Sequence, residues 1–392
     1  MKNNNLYIDL HVLQTVPPSC VNRDDTGSPK TAVYGGVTRA RVSSQAWKHE
    51  MRLSFENFMS KCVSKENAEE TSDLAKRGNG YRTRHLVKLV YDEICKISDI
   101  PDAEQKAEKA VKMALLTDKK RKNQEEDEKK KEKKKVKEEP FDKRTMSEVL
   151  IFANKIQISE IAKLAINGET DSSKYKKAFN SMPSLDMILF GRMVADDPTL
   201  NFDAAAQVAH AISTHEVRNE YDYFTAVDDC SPEDNAGAGH LGTVEFNSST
   251  LYRYATVNVS ELARGLATDD LAKAVRCFAE AFICTMPTGK QNTFANRTLP
   301  DMVYAVVRRD QPVNLVGAFE KPIKSNGGYV ENSENAFCDY AKEVYSLFAP
   351  KPELSLGVSR HDRLGEICTL MPLSELLDRI TAYVSDNFAA GE

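Results

Sequence analysis

The chain has 392 residues, 41% of them hydrophobic, which is enough for more than one packed core. Its net charge of −5 excludes a whole-body attraction to nucleic acid, so any polyanion site must be a local stripe. No apolar run reaches about 18 residues, which argues against a membrane span. MKNNNLYIDL lacks a signal core, and the eight cysteines form no CxxC pair or Cys/His cluster, so a cytoplasmic protein with reduced thiols and no structural zinc is expected.

Leu6 to Val12 alternates apolar and polar residues and predicts a half-buried strand. Residues 17–31, with three prolines, predict a loop. Gly35-Gly36 marks a tight turn, and Arg39 to Val42 predicts a short strand with Arg39 and Arg41 on one face. Ser43 or Ser44 is the N-cap of a following helix. Trp47, Met51, Phe55 and Phe58 form its buried stripe, while Gln45, Lys48 and Arg52 share a neighbouring face. Arg23 and Lys30 from the loop, Arg39 and Arg41 from the strand, and Lys48 and Arg52 from the helix supply six cations. Together with Ser43, Gln45 and the free N–H groups of the helix start they predict a phosphate grip. The plain alternative is a solvated surface helix. Asp24-Asp25 could bind metal or act in RNA cleavage, but turn chemistry is the favoured account.

Residues 60–185 read as mainly helical, with His85 to Ile97 and Lys143 to Leu164 carrying apolar residues at helical spacing. Between them, Asp118 to Glu139 holds 11 basic and 8 acidic residues and one aliphatic, so it cannot bury a core. After about residue 200 the pattern turns to strands. Thr243 to Val259 and Met302 to Val307 read as strands; Leu271 to Phe282, Ala336 to Phe348 and Leu373 to Phe388 read as helices. Tyr221 to Asp229 predicts a protruding hairpin with an aromatic root, able to stack on bases. The whole predicts an α+β sheet domain carrying a helical insertion.

Other motifs lead nowhere. GAGHLG at 237–242 matches a dinucleotide fingerprint, but a strand pattern follows where a helix is needed, so a flexible loop tip is expected. Gly289-Lys290 lacks the first glycine and the Ser/Thr of a nucleotide-hydrolysing loop. His210 and His215 fit no metal spacing and read as structural. No cofactor, metal or catalytic residue is assigned.

The segment HVLQTVPPSCVNRDDTGSPKTAVYGGVTRARVSSQAWKHEMR resembles the CasC-type backbone subunit of type I-E CRISPR Cascade. GRM at 191–193, AHAISTHEV at 209–217, DYFTAVDD at 222–229, HLGTVEFNSSTLYRYATVNV at 240–259, PTGKQNTFANRTLPDMV at 287–303 and AFEK at 318–321 extend the resemblance. It covers nearly all of the chain except Glu104 to Glu139. It implies an RRM-like (ferredoxin-like) palm at 1–58 and 195–392, a helical finger domain at 59–194 with a charged insertion near 104–139, and a β-hairpin thumb at 217–247. It implies a non-enzymatic scaffold that stacks in several copies along a CRISPR guide RNA and leaves bases free to pair with target DNA. Other Cascade subunits and a separate helicase-nuclease are the implied partners, in a prokaryotic cytoplasm, with no membrane.

Carried over by residue, Arg23, Lys30, Ser43, Gln45, Lys48 and Arg52 match guide-backbone contacts, and Arg39 and Arg41 fall within the same strand. Met193 matches a residue packing on bases near a kink, and Tyr223 and Phe224 match thumb aromatics. Tyr223 stands where a relative has tryptophan. Val37, Thr38 and His49 stand where a relative has cations. The alternatives are a cleaving type III-like backbone subunit using Asp24 or Asp25, and a free-standing RRM-like RNA-binding module.

Overall fold

A computed structural model describes residues 5–62, 73–117, 141, 145–226 and 240–389. The predicted charged run at 118–139 and the hairpin tip at 227–239 lie outside the described residues. In chain order come strands β1 (Tyr7–Ser19), β2 (Thr31–Tyr34) and β3 (Val37–Val42), then helix α1 (Ser44–Cys62). There follow β4 (Tyr81–Thr83), α2 (Leu86–Ile97), α3 (Ala103–Leu115), β5 (Ile151–Ala153), α4 (Lys155–Ile166), α5 (Ser172–Asn180) and α6 (Leu185–Phe190). Next are β6 (Ala206–Val208), β7 (Ala211–Ser213), β8 (Glu220–Ala226), β9 (His240–Asn258), α7 (Thr268–Cys284) and the single turn α8 (Gln291–Phe294). The chain ends with β10 (Met302–Arg308), α9 (Val330–Leu347), β11 (Leu354–Ser359), β12 (Thr369–Leu370) and α10 (Leu373–Ala389). Among the described residues no helix is long and apolar enough to cross a membrane.

The fold class is α+β, and the chain divides into two units. One comprises Met1–Ser54, Ala206–Ser260 and Leu271–Glu392; the other comprises Phe55–Ala205 and Glu261–Asp270. The first unit is built on a sheet of order β12-β11-β10-β1-β9-β7-β3-β2, with β6 and β8 also paired to β9. All its pairings are antiparallel except β11 with β12.

β1 departs from the half-buried strand expected at Leu6 to Val12. It lies between β9 and β10, and residues Ile8 to Leu13 are buried on both faces. It also runs on through Pro17 and Pro18, where the register with β9 shifts between Val16 and Ser19. A register shift is where a ladder tolerates residues that cannot donate. Asp9 and His11 of β1 point into the core and are hydrogen-bonded there, with His11 Nε2 alone of their polar atoms left without a partner among the described residues. Asp9 Oδ1 accepts from the Tyr254 hydroxyl at 3.1 Å, and Asp9 Oδ2 accepts from Val313 N–H at 2.9 Å. The Tyr252 hydroxyl donates to Asn314 Oδ1 at 3.1 Å, so His11 Nδ1–H donates to the Tyr252 oxygen at 2.8 Å.

The second unit has a helical core. Val90 and Ile94 of α2, Ala107 and Ala110 of α3, Ile161 of α4 and Phe179 of α5 are all buried in one cluster. Helix α3 occupies the start of the segment expected as a charged insertion, yet its alanine face is core. The continuous helix expected from Lys143 is corrected. Met146 and Leu150 are exposed, and Ile151–Ala153 form β5 against β4. Helix α4 starts afresh because Asn154 and Gln157 form a capping box, which satisfies two otherwise orphaned N–H groups.

Burial, with a smaller contribution from Arg308, holds the His11 imidazole down to about 3. An unfolded imidazole takes its proton near 6.5. As pH falls from 6.5 toward 3, the unfolded chain therefore binds a proton that the folded one refuses, and stability drops. Burial raises Asp9 to about 6 from 3.8, which acts in the opposite sense between those values. His11→Gln removes only the first effect. Unfolding free energies from urea titrations, variant relative to parent, should rise as pH falls from 7 to 4, by up to about 3 kcal/mol. An unchanged difference across that range would count against a neutral buried His11.

Candidate nucleic-acid interface

The loop at 20–30 is closed by Asp24. Its Oδ1 accepts from Thr26 N–H at 2.9 Å, Thr26 hydroxyl at 2.7 Å and Ser28 N–H at 3.0 Å, while its N–H donates to Ser28 O. The Thr26 hydroxyl and the neighbouring N–H groups hold this carboxyl below its ordinary range. This is the turn role expected of Asp24. Among the described residues no three His, Cys, Asp or Glu side chains gather as a metal site.

Asn22 ties the loop to the strand and the helix. Its backbone oxygen accepts from Lys30 N–H at 2.8 Å, and its Oδ1 accepts from Ser43 N–H at 2.9 Å. Lys30 O in turn accepts from Arg41 N–H at 2.9 Å. The loop, β3 and the start of α1 are thus one assembly. A narrow cleft of about 20 Å³ lies between the loop, β3 and β9, lined by Asn22, Lys30, Arg41 and Asn247 among others. Arg23 and Gln45 are exposed, and Lys30, Arg41, Lys48 and Arg52 are half-exposed. The first turn of α1 carries no acid. The predicted stripe of Trp47 and Met51 is buried beneath, as are Phe55 and Phe58 further along the helix.

Two predicted contact residues are corrected. Arg39 is fully buried. Its guanidinium donates to the carbonyls of Tyr34, Ser213, Phe319 and Glu320, at 2.8–3.3 Å, so it has no free edge for a phosphate. Arg41, two residues on, escapes that cover and donates only to Thr31 O at 3.3 Å. Ser43 is also buried. Its hydroxyl accepts from Ala46 N–H at 3.3 Å and caps α1.

His210 belongs to the interface and was missed as such in the sequence. Its Nδ1 accepts from Ser44 N–H at 2.9 Å, so its proton sits on Nε2. Partial burial lowers this imidazole, as do Arg41 and Lys30 nearby. His215 has the structural role expected: its Nδ1–H donates to Glu216 O, and it stacks on Tyr329 with centroids 3.7 Å apart.

In the hairpin of β8 and β9 every residue of β8 is exposed, while Val244 to Phe246 of β9 are half-buried. Tyr223 pairs with Thr243, and Phe224 with Gly242. Adjacent strand residues point to opposite faces, so these two aromatics serve different faces. Tyr223 is 63% exposed, whereas Phe224 lies over Gly242, where an added Cβ would meet the ring at 2.4 Å. The glycine run expected as a loop tip is corrected at its end, since His240 to Gly242 belong to β9.

In the second unit, GRM has a part for each residue. Gly191 takes φ +77°, and a Cβ there would meet Phe202 O at 2.9 Å. Arg192 is buried between the rings of Phe179 and Phe202, 4.1 and 4.6 Å from their centroids, and donates to Phe179 O and Leu200 O. Burial pulls this guanidinium down to about 9. Met193 follows the lock and is 83% exposed.

With this geometry described, likeness to known proteins can be read. The Cas_CT1975 family model, described as CT1975-like protein, matches residues 8–380. This chain belongs to the CT1975-like family. Its fold is similar to a solved chain titled "CRISPR RNA-guided surveillance complex, pre-nicking", with TM-score 0.79, 29% identity, and coverage of 96% of this chain and 100% of that one. A second, titled "CRISPR RNA-guided surveillance complex", has TM-score 0.61 and 25% identity over 96% and 99% of the two chains. No curated protein matches. The family match spans residues of both units.

Arg39 and Arg23 should separate on substitution. Arg39→Ala leaves four carbonyls short of a donor and should cost about 3 kcal/mol of stability. Arg23→Ala, on an exposed cation, should stay within about 0.5 kcal/mol. Thermal melts of both variants check this, and equal losses would overturn the division into buried brace and exposed contact.

Proposed function

We propose that this chain is the guide-RNA-binding backbone subunit of a CRISPR RNA-guided complex of the Cascade kind, of type I-E, and that it is not an enzyme. In this reading the sheet unit is an RRM-like palm, the helical unit a finger domain and the β8–β9 hairpin a thumb. Copies of the chain stack along the guide, other Cascade subunits complete the complex, and target DNA joins by pairing with guide bases. A separate helicase-nuclease would carry out destruction of the target.

The observation that carries the reading is the convergence at Asn22. It brings Arg23, Lys30, Arg41, Gln45 and Lys48 together with an acid-free helix start, on a chain of net charge −5. Guanidinium, ammonium and backbone N–H groups address phosphates and carry no base code. Such a grip suits a strand whose sequence must vary. The likeness to chains of CRISPR RNA-guided surveillance complexes over 96% of this chain supports the same reading. The bonds made by Asp24 favour a loop anchor over the rival reading of an RNA-cleaving subunit.

Lys48→Ala should weaken binding of single-stranded RNA by a similar factor whatever its sequence. It should also reduce the slope of log K against log salt by about 0.7. Fluorescence titrations at several salt concentrations read both quantities. A loss confined to particular bases, or an unchanged slope, would contradict a phosphate role. Size measurement with and without guide RNA distinguishes a stacking subunit from a lone module, which would stay one-to-one. Incubating the complex with complementary RNA and magnesium should give no regularly spaced cuts.

A further inference from the structure

The segment Pro287 to Thr298 holds the failed nucleotide motif Gly289-Lys290 and lies within the 287–303 stretch of the family resemblance, with no site residue assigned to it in the sequence. The structure sets it against the cationic interface. Gly289 lies so close to the 20–30 loop that a Cβ would come within 2.0 Å of Val21 O and 3.1 Å of Cys20 O. No side chain fits there, so glycine is what allows the two backbones to touch. The next residue, Lys290, takes φ +50°, a left-handed conformation that is unusual for a lysine.

Three further observations fix where Lys290 sits. The Cys20 thiol, pushed up by burial, is drawn back down by both Arg23 and Lys290, so both cations lie within electrostatic reach of one sulfur. Glu245, at the root of β9, also acts on that thiol. Phe294, four residues after Lys290, packs on Phe246 with ring centroids 5.9 Å apart, and Phe246 pairs with Glu220 at the start of β8. The segment therefore bridges the Arg23 loop and the root of the hairpin.

Its outward side is polar. Gln291, Asn292 and Thr293 are exposed and Lys290 half-exposed. Lys290 makes no ion pair or hydrogen bond through its side chain among the described residues. By contrast, cations such as Lys163, Lys174, Arg309 and Lys342 are all paired with carboxylates. An ammonium left unpaired in an acidic chain, beside Arg23, adds to the local positive potential.

We infer that the Thr288–Thr293 segment, led by Lys290, is a further RNA-backbone contact that carries the strand from the Arg23 loop to the root of the β8–β9 hairpin. The ligand is a phosphodiester of single-stranded RNA, met by the Lys290 ammonium, with the amides of Gln291 and Asn292 as neutral donors. The strained turn aims the lysine, and Gly289 sets the depth at which it stands. This inference rests on the RNA-binding reading above.

The test uses the full chain with fluorescein-labelled single-stranded RNA of mixed sequence, titrated over a range of salt. Four variants are compared: Lys290→Ala, Lys290→Arg, Lys48→Ala and Lys351→Ala, the last removing an exposed lysine on the loop before β11. Thermal melts confirm that each folds. Lys290→Ala should lose about three- to tenfold in affinity at moderate salt and about 0.7 in slope, and Lys290→Arg should retain both. Lys351→Ala should match the parent chain. If Lys48→Ala shows its loss but Lys290→Ala behaves like Lys351→Ala, the inference fails while the RNA-binding reading stands. If Lys48→Ala and Lys290→Ala both leave binding unchanged, the two fall together. If Lys351→Ala loses as much as Lys290→Ala, only bulk charge is at work and the contact is overturned.

Discussion

Helix α1 is held to the sheet by an arginine that water does not reach. Arg253 of β9 is buried, with its guanidinium 3.8 Å from the Trp47 ring centroid and 4.7 Å from that of Phe282. It donates to Gln14 Oε1 at 2.6 Å and to the Phe282 carbonyl. Among the described residues no carboxylate pairs with it, and burial draws it down to about 9, which leaves it charged at neutral pH. Stripped of hydration, a cation of this kind gains about 2 kcal/mol or more from an aromatic face. Trp47 is thus the lid on a buried charge, and the residue beside it is Lys48. The position of the outward-facing cations follows from what the inward-facing indole must cover.

The same device recurs. Arg39 ties the end of β3 to the segment at 319–320, and Arg192 ties the turn before Met193 to α5 and to Leu200. Arg308 closes the end of β10 on Asp310 and Pro350 O. In each case a fixed fork of donors collects backbone carbonyls, joined at Arg308 by the Asp310 carboxylate. Arginine therefore braces this chain where it is covered and, on the reading proposed above, contacts RNA where it is open. β3 shows both within three residues, at Arg39 and Arg41.

That pair also shows where sequence reading ends. Helical period alone was enough to find Trp47, Met51, Phe55 and Phe58, because local spacing decides which face is apolar. Strand alternation put Arg39 and Arg41 on one face and could go no further. The cover over Arg39 comes from Phe319 and Glu320, some 280 positions away in the chain, and period carries no trace of it. His210 is hidden for the same reason, since its bond to Ser44 spans 166 residues. The misread helix from Lys143 has a local cause. Met146 and Leu150 fit a helical period by chance, while the Asn154 cap that restarts the helix lies among residues that fit it too. The α+β class was legible from the change of style near residue 200. The central, doubly covered place of β1 was not, because buried Asp9 and His11 imitate the polar face of a surface strand.

The loop closed by Asp24 has a consequence for the RNA-binding reading proposed above. Its backbone is already fixed by its own side chain and by Asn22 before any ligand is present. Ordering a flexible segment on binding would subtract about 1–2 kcal/mol for each residue whose backbone is fixed, and that subtraction is largely absent here. On the RNA-binding reading proposed above, each subunit meets RNA as a finished cradle, with encounter governed by charge and ionic strength. On the same reading, any all-or-none character in building a filament arises between neighbouring copies, because nothing in this loop waits to fold.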